Sequence, residues 1–255
     1  MTKRFVIVAE DDLGALLTRD LCDRVVVERA VDWLRDLWED EAMREQQRSY
    51  TGFTPGQFWA GWGDVKRLAE QRSIRVHGLG MKGERLMAHK AVAVAAELNA
   101  SDKPPIDALF LAHDTDGDLE VGDRLREGAR GRPGAKPPFA VLVSAPHPES
   151  EAWVVAGAAP LSPEAQAKHA EERRRLGFDP VTHPERLSAN RATDKRDAKR
   201  VCEALLGAHE DEYKAWERCW HEAPLETLEQ NGEHAGLRTY TRAVEEQILP
   251  LLGSH

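Results

Sequence analysis

Three aspartates follow an apolar run at alternate positions. Asp114, Asp116 and Asp118 follow residues 106–112, whose length and composition predict a buried parallel strand. Ligands of open α/β sheets bind beyond the carboxyl ends of such strands. Carboxylates directed into one crevice repel each other unless a cation neutralises them, and Mg²⁺ or Mn²⁺ suits oxygen ligands. The stretch predicts a divalent-metal site, with a solvated Asp-rich turn around Gly117 as the alternative.

Acidic residues also follow two other predicted strands. Residues 4–9 form an apolar run that ends at Glu10, and the helical spacing after it predicts a helix with Asp12 as its N-cap. Residues 138–145 form another apolar run, followed by Glu149 and Glu151. Carboxylates thus leave three separate predicted strands. This pattern favours one shared site, although acidic surface turns at strand ends are common.

The order of elements predicts an α/β protein with a mostly parallel sheet flanked by helices. We expect a core over residues 1–158, with a helical insertion at about residues 29–72. Residues 159–255 are expected to form a basic connection and a helical C-terminal region packed on the core.

Positive charge is concentrated near the predicted acidic site. The net charge is −9, yet residues 168–200 contain ten basic and six acidic residues, and a second basic cluster follows the aspartates. Basic residues beside carboxylates could hold a phosphate backbone against a metal site. The alternative is a solvated helix face of mixed charge. The nucleic-acid-binding candidates are Arg124, Arg130, Arg132, Lys199 and Arg200.

The composition indicates a protein outside the membrane. Of the 255 residues 31% are charged, and no apolar run approaches the length of a membrane span. No signal-peptide pattern follows Met1, so we expect a cytoplasmic protein. Cys22, Cys202 and Cys219 are too far apart in the sequence to indicate a disulfide framework or a zinc knuckle.

The order of these acidic motifs resembles a known family. A glutamate at the end of the first strand and an Asp-x-Asp at the end of a later strand resemble the Toprim fold, including nucleases of the overcoming-lysogenization-defect (OLD) type. The segment Pro-Glu-Ser-Glu-Ala-Trp at residues 148–153 resembles a signature of small stand-alone Toprim-like bacterial proteins, often encoded beside an ATPase in anti-phage systems. The resemblance covers about residues 4–158 and implies a Toprim-like sheet.

The resemblance also implies roles for the first two acidic motifs. Glu10 would be the general base or a metal-positioning acid, and Asp114 and Asp116 would be Mg²⁺ ligands. Asp118 would lie in the outer shell of the metal.

The later motifs receive roles from the same resemblance. Glu151, or Glu149 if the helix starts later, would help to hold a second metal. Lys195, with Lys199 behind it, would steady the scissile phosphate or its transition state.

These expectations predict a metal-dependent endonuclease that hydrolyses phosphodiester bonds in DNA or RNA. The three tyrosines fall in the insertion and in late helices, which favours hydrolysis over transesterification. The expected partners are a nucleic-acid substrate and an ATPase, with a homo-oligomer left open. A non-catalytic Toprim-like interaction subunit is the alternative, and a metal-dependent phosphatase ranks lower because the Asp-Thr-Asp lacks a following threonine.

Overall fold

The computed structural model describes residues 2–54, 56–74, 81–101, 104–131, 136–189, 193–207 and 213–253. In these residues the chain forms an α/β fold, with five strands in one parallel sheet and twelve α-helices. Several of these helices contact the strands. The predicted fold class, a parallel sheet flanked by helices, is confirmed.

The chain forms two compact units, which are described separately. The first unit comprises Met1–His113, Glu120–Ser144 and Arg242–His255, and the second comprises Asp114–Leu119 and Ala145–Thr241. Residues 145–158, which the sequence assigned to the first domain, therefore belong to the second unit.

The sheet lies in the first unit. Its strands are β1 (Lys3–Ala9), β2 (Arg48–Thr51), β3 (Ala60–Gly61), β4 (Ala108–Ala112) and β5 (Ala140–Ser144). β4 lies between β1 and β5, while β2 and then β3 pair with the other edge of β1. β4 is buried along its whole length, as expected for a strand covered on both faces. The strands predicted at residues 4–9, 106–112 and 138–145 are confirmed to within two residues.

Six helices of the first unit lie between the strands in chain order. They are α1 (Asp12–Arg29), α2 (Asp32–Glu39), α3 (Glu41–Gln47), α4 (Trp62–Gln71), α5 (Gly83–Ser101) and α6 (Glu120–Ala129). The N-cap of α1 is Asp11, whose side chain accepts a hydrogen bond from the Gly14 amide at 2.8 Å. The predicted cap, Asp12, was wrong by one residue. Where the sequence predicts a helical insertion, residues 29–72 contain helices together with β2 and β3.

The second unit is helical in the described residues. Its helices are α7 (Ser150–Ala156), α8 (Pro163–Leu176), α9 (Ala198–Leu206), α10 (Lys214–His221) and α11 (Leu225–Asn231), with a 3-10 turn at Pro184–Arg186. The last helix, α12 (Leu237–Gly253), starts in this unit and ends in the first. Trp153 is fully buried, and its indole donates to the Ala235 carbonyl at 2.7 Å. No helix in the described ranges combines the length and apolar character needed to cross a bilayer.

Candidate metal centre

The loop with the three aspartates is held by main-chain hydrogen bonds. The amide of Thr115 donates to the Pro146 carbonyl and that of Asp116 to the Pro148 carbonyl, both at 3.0 Å. Asp116 and Gly117 have φ angles of 49° and 84°, in the left-handed region that a tight turn requires. The loop is thus fixed against the segment that carries the later acidic motif.

A serine that the sequence did not single out holds one of these aspartates. Ser150, the first residue of α7, is 1% exposed, and its hydroxyl donates to Asp114 Oδ1 at 2.8 Å. This bond fixes the orientation of the Asp114 carboxylate. Ser150 lies inside the Pro-Glu-Ser-Glu-Ala-Trp motif, which is the signal that could have found it.

Glu149 lies in an electrostatically crowded position. Burial, and to a lesser extent the carboxylates of Glu151, Asp197 and Asp116, together raise its pKa from 4.5 to about 7, while Lys199 opposes them. The second unit therefore brings carboxylates from the aspartate loop, the start of α7 and the N-terminus of α9 close enough to repel one another. Sequence reasoning missed Asp197, whose side chain caps α9.

The donor chemistry of this cluster suits a hard divalent cation, because carboxylate oxygens are the usual ligands of Mg²⁺ and a cation would relieve the repulsion at Glu149. The cluster is not a preformed ligand shell. Across the described ranges, no group of three or more His, Cys, Asp or Glu side chains is arranged to hold a metal ion. The cluster therefore suits a divalent cation in its charge and in the type of its ligands, but its side chains are not arranged as a ligand shell.

Glu10 lies in the first unit, directly after β1. Its Oε2 is 3.3 Å from Nδ1 of His113, which follows β4, and the two side chains are 40% and 12% exposed respectively. The Trp62 ring is tilted against the His113 ring at 5.7 Å, and its indole donates to the Ala112 carbonyl. His113 was missed by the sequence analysis, although its position directly after a predicted strand marks it. The predicted grouping of Glu10 with the aspartates of the second unit stays a prediction.

Two lysines near the start of α9 have different surroundings. Lys199 is exposed and acts electrostatically on Glu149. Lys195 is also exposed, and among the described residues its side chain forms no hydrogen bond or ion pair. The structure therefore places Lys199 beside the carboxylates, while the catalytic role predicted for Lys195 stays a prediction.

Two of the arginines predicted to bind nucleic acid already contact carboxylates. The guanidinium of Arg200 forms two hydrogen bonds with the buried carboxylate of Glu172, at 3.1 and 2.5 Å. Arg124 donates to Glu84 at 2.8 Å. Arg130 is exposed at the end of α6, and Arg132 lies outside the described residues.

Comparisons with known proteins give no relative for this chain. A scan against models of protein families, a search of curated proteins and a search of solved structures each found no match. The resemblance to Toprim nucleases therefore depends on the short acidic motifs and on the parallel sheet, and the function has to be argued from the carboxylates themselves.

Proposed function

We propose that this protein is a divalent-metal-dependent nuclease that hydrolyses phosphodiester bonds in DNA or RNA, with its cation held by the carboxylates of the second unit. The observation that carries the proposal is the crowding at Glu149, whose pKa is raised to about 7 by burial and by three neighbouring carboxylates. A purely structural surface has no need for such repulsion, whereas a cation site uses it.

Each side chain of the candidate metal centre has its own role in the proposed hydrolysis. A bound Mg²⁺ would supply Lewis-acid stabilisation of phosphate oxygens and lower the pKa of a coordinated water. Ser150 keeps Asp114 oriented, and the main-chain bond from Asp116 to Pro148 fixes the backbone that carries the next carboxylate. Glu149 would hold the cation as a carboxylate, after loss of the proton that its raised pKa favours. Lys199, beside Glu149, is positioned to neutralise an approaching phosphate.

A non-catalytic interaction protein is the second candidate. It is favoured by the lack of any preformed group of three metal ligands in the described ranges. The resemblance adds an ATPase partner and a role in anti-phage defence, and both belong to the proposal without a structural observation of their own.

The proposed activity is tested by cleavage. Plasmid DNA and tRNA are incubated with wild type in Mg²⁺, in Mn²⁺ and in EDTA, beside Asp114→Asn/Asp116→Asn. The control variant Asp36→Asn/Glu39→Gln removes two exposed acids from α2. Metal-dependent cleavage that the control keeps and the loop variant loses supports the nuclease. Cleavage that the loop variant retains overturns the assignment of these residues, and metal binding without cleavage by wild type favours the interaction protein.

A further inference from the structure

Two arginines of the second unit stack on one phenylalanine ring. The guanidinium carbon of Arg186 lies 4.2 Å from the centre of the Phe178 ring, and that of Arg196 lies 5.7 Å from it. Phe178 is only 6% exposed, so the ring is a fixed platform, while both arginines are exposed. In the described part of the chain, neither guanidinium forms a hydrogen bond or an ion pair. We call these two arginines and the ring the arginine clamp.

The backbone brings the two arginines together. Arg186 ends the 3-10 turn and Arg196 precedes α9, and Ser188, two residues after Arg186, pairs with Asp197, directly after Arg196, in a parallel bridge. The Ser188 amide donates to the Arg196 carbonyl at 2.8 Å, and the Ala198 amide donates to the Ser188 carbonyl at 2.9 Å. Main-chain hydrogen bonds therefore hold together the two segments that carry Arg186 and Arg196.

The nearest carboxylates in the sequence have other partners. Asp197 accepts from the Arg200 amide at 2.8 Å, and Asp194 accepts from the Ser188 hydroxyl and from the main-chain amide of Arg196. Glu185 pairs with His183 at 3.4 Å. Two like charges thus share one ring without a neutralising carboxylate among the described residues. The cation–π contacts with the buried ring position both guanidinium groups, whose planar N–H donors can bind phosphate oxygens in pairs.

We propose that the arginine clamp binds backbone phosphates of a nucleic-acid strand. The positive charge continues along the same segment through the exposed Lys195 to Lys199, which acts on Glu149 of the candidate metal centre. A single free phosphate would bind to the arginine clamp alone, whereas a nucleic-acid strand would also contact Lys195 and Lys199. The inference rests on the proposed function for its choice of nucleic acid, but strand binding is measured separately from cleavage.

The test is fluorescence anisotropy with a labelled 20-nucleotide single-stranded DNA in EDTA, over a series of salt concentrations. Arg186→Ala/Arg196→Ala is expected to weaken binding about tenfold or more and to lower the slope of log affinity against log salt by about one to two. The control Arg173→Ala/Arg174→Ala removes the same charge from exposed positions of α8 and is expected to change binding by less than about twofold.

A conservative variant separates the clamp from net charge. Arg186→Lys/Arg196→Lys keeps both charges and should fold as wild type does, but it loses the stacked planar groups, so we expect a salt slope near that of wild type with weaker binding. Equal binding by wild type and the alanine variant, or an equal loss in the α8 control, overturns the clamp.

Two further measurements distinguish a nucleic-acid strand from free phosphate as the ligand, and separate the clamp proposal from the nuclease proposal. Inorganic phosphate at millimolar concentration should compete weakly with the oligonucleotide; complete displacement would show a free-phosphate site and overturn strand binding. Cleavage by wild type in Mg²⁺ combined with clamp-independent binding refutes only the clamp. Clamp-dependent binding in EDTA without cleavage in Mg²⁺ supports the clamp and refutes the nuclease.

Discussion

Replacing Glu149 by glutamine should stabilise the protein at alkaline pH and leave it unchanged at acid pH. The pKa of this carboxyl rises from its usual 4.5 to about 7 in the folded chain, chiefly through burial. Below about pH 4.5 the group is protonated in both the folded and the unfolded chain. Between pH 4.5 and 7 only the folded chain keeps the proton, so the free energy of unfolding falls as pH rises through this window.

The expected gain in the free energy of unfolding follows from this shift in the pKa of Glu149. At about 1.4 kcal/mol for each pH unit, the full displacement corresponds to about 3 kcal/mol above pH 7. The side chain is only partly buried, so water screens part of the repulsion and we expect about 1–3 kcal/mol. Glu149→Gln removes the charge, and its free energy of unfolding at pH 8 should exceed that of wild type by this amount.

Urea unfolding followed by circular dichroism, in EDTA at pH 4.5, 6, 7 and 8, measures the difference. Glu171→Gln on α8 is the matched control, because this exposed acid has no hydrogen bond or ion pair among the described residues. Its unfolding profile should run parallel to that of wild type. A parallel profile for Glu149→Gln as well would refute the reasoning, because it would mean that the carboxylate is not held in a crowded environment.

Three other substitutions have defined outcomes. Ser150→Ala removes the hydroxyl that fixes Asp114, and should weaken Mn²⁺ binding about 10- to 100-fold in calorimetry. Arg48→Met removes the guanidinium that hydrogen-bonds the buried carboxylate of Asp23 and leaves the more distant Arg44, at 3.8 Å, as its cationic partner, and should lower the free energy of unfolding by about 3 kcal/mol in urea. Gly157→Ala would place a Cβ in steric conflict with the main-chain oxygen of Cys219 in α10, and should destabilise the fold by about 3 kcal/mol or more in the same assay.

The chain supplies control variants for the Arg48 and Gly157 substitutions. Arg126→Met breaks a pair with the exposed Asp123, and the expected cost is below about 1 kcal/mol. Gly63→Ala meets no atom within 4 Å, so it should be tolerated. A Ser150→Ala variant with wild-type Mn²⁺ affinity would show that Asp114 needs no positioning. Controls as damaging as the test variants would contradict the assigned contacts.

The strands could be predicted because their signal is local. Continuous apolar runs at β1, β4 and β5 are what strands buried on both faces require, and each such run became a strand. The N-cap of α1 was missed by one residue, because Asp11 and Asp12 are both acceptable caps and only the backbone geometry selects between them.

The surroundings of the candidate site could not be predicted, because they depend on contacts between distant parts of the chain. Glu149 lies close to Asp197 and Lys199 only because the N-terminus of α9 packs near the start of α7. The arginine clamp similarly depends on the bridge between Ser188 and Asp197, and no sequence spacing indicates that two arginines ten residues apart stack on one ring.

The most direct test of the metal site is calorimetric titration of the protein with Mn²⁺ at pH 8. We expect wild type and Asp36→Asn/Glu39→Gln to bind the ion with the same affinity, and Asp114→Asn/Asp116→Asn to lose binding while its unfolding curve stays cooperative. Binding of Mn²⁺ by the loop variant with wild-type affinity, or no binding by wild type, would contradict the account and leave the three aspartates as a solvated turn.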